Sequence, residues 1–331
     1  MNHKIELIAS KKKILIIRFN SIGDIVLTTP VIKMLHDLGY EVHYLLKSSY
    51  ASVLEFNPYV SRLITLDSSL SDILPELASQ DYDRVIDLHN NIRSKRVCSA
   101  LKKPVLRLKK ERVGLWLLTQ WGIGKFQRDH IVDRFLDIIK PLTKDNVNPS
   151  LPQYFLKSEK SGIEVEQDYM VIAIGAAYAT KQIPINLIVE VIDQTDIHCV
   201  LLGGKEDVER ATQITNLVEK EVDNLTGKLS ISESASMIQK ARLVLSGDTG
   251  MMHIANALGT PVVAVFGSTH PILGYRPYDP HSNKKNIVIQ NNDLTCRPCT
   301  KQGKHKCPKR HFKCMKELKS SDIIDKIQAF I

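Results

Sequence analysis

Short apolar runs rich in β-branched residues alternate with helical stretches along most of the chain, and they do so in two separate series. In the first, residues 13–19, 41–46, 63–66 and 84–88 read as strands, and 24–38, 51–57 and 71–79 as helices. The rhythm stops over 143–168, a polar stretch carrying Pro149 and Pro152, and then restarts. Strands are expected at 170–174, 199–202, 243–246 and 261–266, with helices at 186–194, 205–218, 232–239 and 251–258. The strands show little apolar–polar alternation, as expected of parallel strands covered on both faces by helices. The fold class that follows is α/β: two doubly wound, Rossmann-like parallel-sheet domains, over residues 1–155 and 156–331. The last helix, 320–331, could pack on either domain, including back onto the first.

Two such halves facing a central cleft place ligands outside the carboxyl ends of the strands, so the loops directly after strands are the candidates for chemistry. The first is Arg18-Phe19-Asn20-Ser21-Ile22-Gly23-Asp24. Gly23 permits a tight turn or close approach of a ligand. Asp24 reads either as a helix-start carboxylate stabilised by the dipole or as a general base facing the cleft. The second loop is Ser246-Gly247-Asp248-Thr249-Gly250-Met251-Met252-His253. Backbone N–H groups at such a helix start suit a phosphate. Asp248 and Thr249 can cap the helix, and His253, one turn inside, reads by itself as structural. In a third loop, 175–184, Lys181 is the one cation and could neutralise a diphosphate, or be a solvated loop lysine. A fourth, Gly203-Gly204-Lys205-Glu206, could border a nucleotide. Neither G-x-G-x-x-G nor G-x-x-x-x-G-K-[ST] is present, so the dinucleotide and P-loop readings lose their main support.

Charge narrows the partner. The formal net charge is +9, and much of the excess lies in residues 93–128, where eleven basic residues meet one acid, Glu111. A second basic run covers 297–319. Such clusters suit an anionic partner or a solvated surface. Trp116 and Trp121 sit among leucines inside the first run, in a segment that fits either a membrane interface or the core. No apolar run approaches the roughly 18 residues that span a bilayer, and residues 1–13 lack a secretory apolar stretch, so a cytoplasmic location is expected. Cys98 and Cys199 are isolated and expected to be buried thiols. Cys296, Cys299, Cys307 and Cys314 have the spacing C-x2-C-x7-C-x6-C. Four thiolates could bind a structural zinc, although a second C-x2-C knuckle is lacking.

Taken together, these residues resemble a family. IIRFNSIGDIVLTTP (16–30), RVIDLHNNIRS (84–94), SGDTGMMHIANALGTPVVAVFGST (246–269) and the cysteine segment 296–315 stand in the order of the signatures of the ADP-heptose:lipopolysaccharide heptosyltransferases, glycosyltransferase family nine, and are most similar to the heptosyltransferase II type. The resemblance implies a GT-B architecture with the acceptor half first and the nucleotide-sugar half second. It implies inverting sugar transfer with no metal or other cofactor required, and an ADP-sugar as substrate. Asp24 would be the general base, with Ser21, Gly23 and Arg93 toward the acceptor. Thr180, Lys181, Glu206, Asp248, Thr249, Gly250 and His253 would contact the donor. The acceptor would be an anionic lipid A/Kdo-type glycolipid at the inner face of the cytoplasmic membrane, where the enzyme would be peripheral; no nucleic-acid partner is implied. The family loop G-A-x-x-x-x-K-[RH]-W-P reads GAAYATKQIP here, and Gln182, Ile183 and Met251 depart from the family pattern beside the donor. Two other readings are a non-catalytic glycolipid or nucleotide-binding protein and a nucleotide-sugar epimerase on the same fold.

Overall fold

A computed structural model describes residues 11–331 apart from 68, 111–113, 115, 117–118, 120–127, 144–149, 158–164, 166 and 282–284. The first half is a five-stranded sheet: β1 (Lys13–Ile17), β2 (Glu41–Lys47), β3 (Arg62–Leu66), β4 (Arg84–Asp87) and β5 (Val105–Arg107). Its strands are all parallel, in the order β3-β2-β1-β4-β5. The second half has six strands, β6 (Tyr169–Ala173), β7 (His198–Leu202), β8 (Val222–Asn224), β9 (Leu243–Gly247), β10 (Val262–Phe266) and β11 (Asn286–Gln290). They are again parallel, in the order β11-β10-β9-β6-β7-β8. In each sheet the chain starts in the middle, winds outward, and returns to pair beside its first strand. The gaps between the loops after β1 and β4, and after β6 and β9, are therefore the topological switch points.

The missing alternation in the strands has a direct cause. Ile14 and Ile16 of β1 enter one buried layer while Leu15 and Ile17 enter another on the opposite face. Val244 of β9 likewise faces one layer, and Leu243 and Leu245 the other. Each such fully buried aliphatic side chain contributes about 1.5–3 kcal/mol relative to exposure. One apolar layer is continuous between the halves, joining Ile25, Val26 and Tyr44 to Met237, Met252 and Ile254.

The helix expected over 24–38 is broken into α1 (Ile22–Val26) and α2 (Thr29–Asp37). Pro30 has no N–H to give to the carbonyl of Val26. The Thr29 hydroxyl donates to that oxygen instead, at 2.7 Å. The same hydroxyl accepts from the Gln153 amide at 2.9 Å, which ties residues beyond the first sheet back onto α2. The helix expected at 205–218 is likewise a 3-10 turn, Lys205–Asp207, followed by a helix over Val208–Thr215.

The last helix (Ser320–Gln328) packs on the second half, correcting the option of packing back on the first. Its Ile323, Ile324 and Ile327 form a stripe that enters the same layer as Leu187, Ile188 and Val191 of the helix Ile185–Gln194. Among the described residues no helix is long and apolar enough to cross a membrane. Cys98 and Cys199 are buried and free, as their isolation predicted.

Candidate active site

Both switch points open on one cleft. On the first side, Asp24 lies in α1 just after β1 and pairs with Arg18, Nη2 to Oδ2 at 2.6 Å. Arg18 is held in turn by the carbonyls of Asn20 and Leu88, both at 2.8 Å, and so clamps the loops after β1 and β4 together. Ser21 donates to Asp24 Oδ2 at 3.1 Å. Burial opposes the charge on Asp24, but the Arg18 guanidinium and these hydrogen bonds outweigh it and hold the carboxyl below the usual carboxylate range. The other oxygen, Oδ1, is buried and has no partner. The site thus holds an ionised carboxylate with one oxygen fixed and the other buried without a partner.

The loop after β4 owes its shape to Asp87, which is fully buried. Its Oδ1 accepts from the amides of His89 (3.1 Å) and Asn90 (2.7 Å), and its Oδ2 from Ser94 Oγ (3.0 Å) and Arg107 Nε (2.8 Å). This turn and the residues before Asp24 border an open hollow of about 400 Å³ lined by Phe19, Lys47, His89, Arg93 and Lys110 among others. Arg93 is exposed at its edge.

On the second side, Lys181 pairs with Asp248, Nζ to Oδ2 at 2.9 Å, joining the loops after β6 and β9. The next helix, α9 (Gly250–Leu258; α3 to α8 are Leu70–Ser79, Ile92–Leu101, Ile131–Thr143, Ile185–Gln194, Val208–Thr215 and Ile231–Lys240), starts at Thr249 without a side-chain cap. This corrects the expectation that Asp248 and Thr249 cap it. Asp248 is committed to Lys181, and the Thr249 hydroxyl meets Ser246 Oγ at 3.0 Å. First-turn N–H groups without a cap, beside a lysine, form an anion-binding arrangement.

Glycines bring the two sides together. A Cβ on Gly23 would lie 2.5 Å from Cδ2 of His253, and one on Gly250 would lie 2.9 Å from Cβ of Ile22. Helices α1 and α9 therefore cross at a distance that only glycine allows, and the space beside Gly23 is filled by His253 rather than left for an acceptor. His253 is buried; burial pushes its imidazole down to about 4, so it is neutral, and its Nδ1 has no partner. Gly247 serves the donor side in the same way: its Cβ would meet the Lys181 carbonyl oxygen at 2.3 Å.

Two expected donor residues sit differently. Thr180 is buried, and its hydroxyl accepts from Ser268 Oγ and from the Lys304 amide, both at 2.8 Å, so it braces the loop from beneath. Ile183, which departs from the family loop, is buried in the layer with Leu187 and Ile188 and does not face the donor. Glu206 is exposed next to Gly204, open to the cleft rim. Its neighbour Asp207 is buried beneath Gly175 and Gly203, where it accepts from the Gly204 amide at 3.0 Å; burial raises its carboxyl above the usual range.

The cysteine segment is organised by a different residue. The Arg297 guanidinium donates to the carbonyls of Phe266, Gly267, Thr269 and Asn291 at 2.5–2.9 Å. The thiol of Cys299 donates to the Cys296 carbonyl at 2.9 Å, and Cys296 Sγ lies 3.9 Å from His311 Nε2. Burial raises the thiols of Cys299 and Cys314 to about 12 and 11. Among the described residues no group of three or more His, Cys, Asp or Glu is arranged to hold a metal ion, although Cys296, Cys307 and Cys314 all lie near enough to Cys299 to raise its thiol. Trp116 is 55 % exposed, and Trp121 with Leu115, Leu117, Leu118 and Ile123 lies outside the described residues.

The sequence reading passed over Arg18, Asp87, Asp207 and Arg297. Arg18 and Asp87 stand within the quoted motifs, at strand ends, which was the available signal. Arg297 had none beyond its place between Cys296 and Pro298.

The chain is similar to known proteins in family and fold. The model of "Glycosyltransferase family 9 (heptosyltransferase)" matches residues 72–309. Lipooligosaccharide heptosyltransferase 2 of Campylobacter jejuni is 23% identical over 314 residues, covering 92% of this chain and 93% of that protein. A family 9 glycosyl transferase from Veillonella parvula superposes with a TM-score of 0.78 at 21% identity, covering 96% of this chain and 97% of the other. The ADP-heptose lps heptosyltransferase II of E. coli superposes with a TM-score of 0.74 at 20% identity, covering 96% and 98%. A family match over most of the chain, together with paired parallel-sheet halves and a cleft between their switch points, makes this protein a member of glycosyltransferase family 9, the heptosyltransferases.

Proposed function

We propose that the protein transfers a heptose from ADP-heptose to an anionic inner-core acceptor of lipopolysaccharide, with inversion and without a metal, using Asp24 as general base. The observation that carries this reading is the unpartnered Asp24 Oδ1, buried directly across the α1–α9 crossing from the Lys181–Asp248 pair and the uncapped start of α9. In the reaction the acceptor hydroxyl oxygen bonds to the anomeric carbon from the face opposite the diphosphate. The bond from that carbon to the phosphate oxygen breaks, the electron pair leaves with ADP, and the hydroxyl proton passes to Asp24 Oδ1. A carboxylate held low by Arg18 is a weak base but is always ionised at neutral pH, and it takes the proton as bond formation makes the hydroxyl acidic. Ser21 orients the carboxylate.

Charge developing on ADP is met by Lys181 and by the first-turn N–H groups of α9 around Gly250, with the Thr249 hydroxyl beside them. Fixed cationic groups of this kind do the work that a divalent ion does elsewhere. His253, neutral and with a free Nδ1, supports the donor from inside α9, and Glu206 is placed to accept from the ribose. In this reading residues 1–155 bind the acceptor and 156–331 the donor. In this reading, too, exposed Arg93, Lys95, Arg96 and Lys102, with exposed Trp116, face an anionic membrane surface at the cytoplasmic side.

The test is release of ADP when the protein is incubated with ADP-heptose and a Kdo-lipid A acceptor. Asp24→Ala should lower kcat by about 10² or more while leaving ADP affinity within twofold. No ADP release from the wild type would overturn the proposal. Sugar conversion without acceptor would favour an epimerase, and donor binding without turnover would favour a binding protein.

A further inference from the structure

The start of α5 and the segment after β10 belong to different halves and are stitched together. Helix α5 packs on α2 and β5 of the first half, and its Arg134 side chain donates to the Lys109 carbonyl at 2.9 Å. Residues 267–278 follow β10 of the second half. Between the two, the Arg128 amide donates to the Ile272 carbonyl at 3.2 Å and the Ile131 amide to the Gly274 carbonyl at 2.9 Å. Gly274, at φ +80°, comes so near that a Cβ on it would lie 2.5 Å from the Asp129 carbonyl oxygen. The buried His130 imidazole joins both sides. Its Nδ1 accepts from the Val132 amide at 3.2 Å, so its Nε2 carries the proton and donates to the Arg276 carbonyl at 2.7 Å.

Buried Tyr278 ends this seam and carries it to the donor-side helix. Its ring packs on that of His130, centroids 4.7 Å apart, and its hydroxyl donates to Asp133 Oδ1 at 2.5 Å. A hydroxyl–carboxylate bond of this length is charge-assisted and among the strong ones. The backbone of Tyr278 is held by Asn256, in the last turn of α9. The Tyr278 amide donates to Asn256 Oδ1 at 2.9 Å, and Asn256 Nδ2 donates to the Tyr278 carbonyl at 3.2 Å. Helix α9 therefore meets the first half twice. Its start meets α1 at the Gly23 and Gly250 crossing, and its end is tied through Asn256 and Tyr278 to Asp133. A rod held at one point can pivot. Held at both ends, α9 cannot tilt across α1 without breaking the Tyr278–Asp133 bond.

We infer that Tyr278 is a positioning residue for the transfer: by tying the far end of α9 to Asp133 it fixes the angle at which α9 crosses α1, and with it the separation between the first turn of α9 and Asp24. It acts through α9 and not on either substrate. Asp133 and Tyr278 lie outside all four motifs that carry the family resemblance, so the resemblance assigns them nothing. This inference rests on the roles proposed above for Asp24 and for the start of α9.

Tyr278→Phe keeps the ring and its packing and removes only the hydroxyl. With ADP-heptose and Kdo-lipid A it should lower kcat about tenfold, because misplacing reacting groups by about 1 Å costs up to about 10²-fold, while KM for both substrates and the ADP Kd stay within about twofold. Asp133→Ala should do the same, and the double variant should lose no more than either alone. Asp133→Asn, whose amide oxygen still accepts the hydroxyl, should stay within about threefold of the wild-type rate. Gly274→Ala, which pries the seam apart at the Asp129 carbonyl, should also lower kcat. An unchanged kcat in Tyr278→Phe would overturn the inference. So would a rise in KM or ADP Kd that matches the fall in kcat, or additive losses in the double variant. Wild-type turnover tests the proposed function separately. If the wild type does not turn over, amide hydrogen exchange still decides. Tyr278→Phe should speed exchange in residues 128–134 and also in α1, where the Ile25 and Leu27 amides donate to the Ser21 and Gly23 carbonyls. Faster exchange confined to the seam, or no change at all, would refute the coupling.

Discussion

Gly247→Ala tests how Lys181, the proposed diphosphate contact, is held. Gly247 ends β9 and is fully packed, and the added Cβ would stand 2.3 Å from the backbone oxygen of Lys181. Ordinary contacts begin near 3.5 Å, so the two strand ends must part by about 1 Å. The Lys181 loop cannot swing away freely. It is bonded to Lys304 through Thr180, and the Ser268 amide donates to the Thr180 carbonyl at 3.3 Å. A shift of about 1 Å would stretch the 2.9 Å Lys181–Asp248 pair to the limit of an ion pair. Overpacking costs about 1–3 kcal/mol, while replacing glycine in a strand returns about 0.5–1 kcal/mol. The net loss is about 1–2 kcal/mol, which lowers Tm by roughly 2–8 °C in a unit of this size. With Lys181 meeting the diphosphate as proposed, its displacement should weaken ADP binding about tenfold to a hundredfold. Calorimetric titration with ADP and thermal unfolding measure both. Gly259→Ala is the control: that glycine ends α9 at φ +78° with nothing within 4 Å of its Cβ. It should lose about 1 kcal/mol from backbone strain alone and keep its ADP affinity. Normal ADP binding and normal Tm in Gly247→Ala would refute the argument that this glycine exists for the close approach of Lys181.

Two further predictions concern stability. Burial lowers the imidazoles of His253 and His89 to about 4 and of His130 to about 3, so between those values and about 6.5 the unfolded chain binds protons that the folded protein does not. Stability should therefore be full near pH 7 and fall on acidification through pH 6.5 toward 4, by up to roughly 3 kcal/mol for His253 alone. Thermal unfolding from pH 7.5 to 5 should show this decline, with a shallower slope in His253→Gln; a Tm that is flat or rises on acidification would contradict it. Arg297→Lys keeps the charge but cannot serve four carbonyls in one plane, and should cost about 2–4 kcal/mol. Urea unfolding reads the loss, and limited proteolysis should show new cleavage between residues 297 and 305.

The sequence determined the architecture because the hydrophobic pattern is local and repeated. Strands buried on both faces must be apolar throughout, and the interruption before residue 169 separated two such series. The same rule located the proposed site: Asp24, Lys181 and Asp248 all follow strands, and topology places strand ends at the switch points. Short or polar elements escaped this reading. The three-residue strands β5 and β8 bury little, β11 is only partly covered, and α4 and α5 carry charged or proline-containing sequences that blur the helical period.

What only the tertiary structure decided were the relations between residues distant in the chain. That Gly23 and Gly250 serve a crossing of two helices, that Thr180 is a brace rather than a contact, and that Ile183 points into the core depend on what lies opposite each of them. The same holds for Arg18 fixing one oxygen of Asp24. A side chain's type shows which bonds it can make, but its partner is chosen by packing, and packing brings together residues separated by more than two hundred positions.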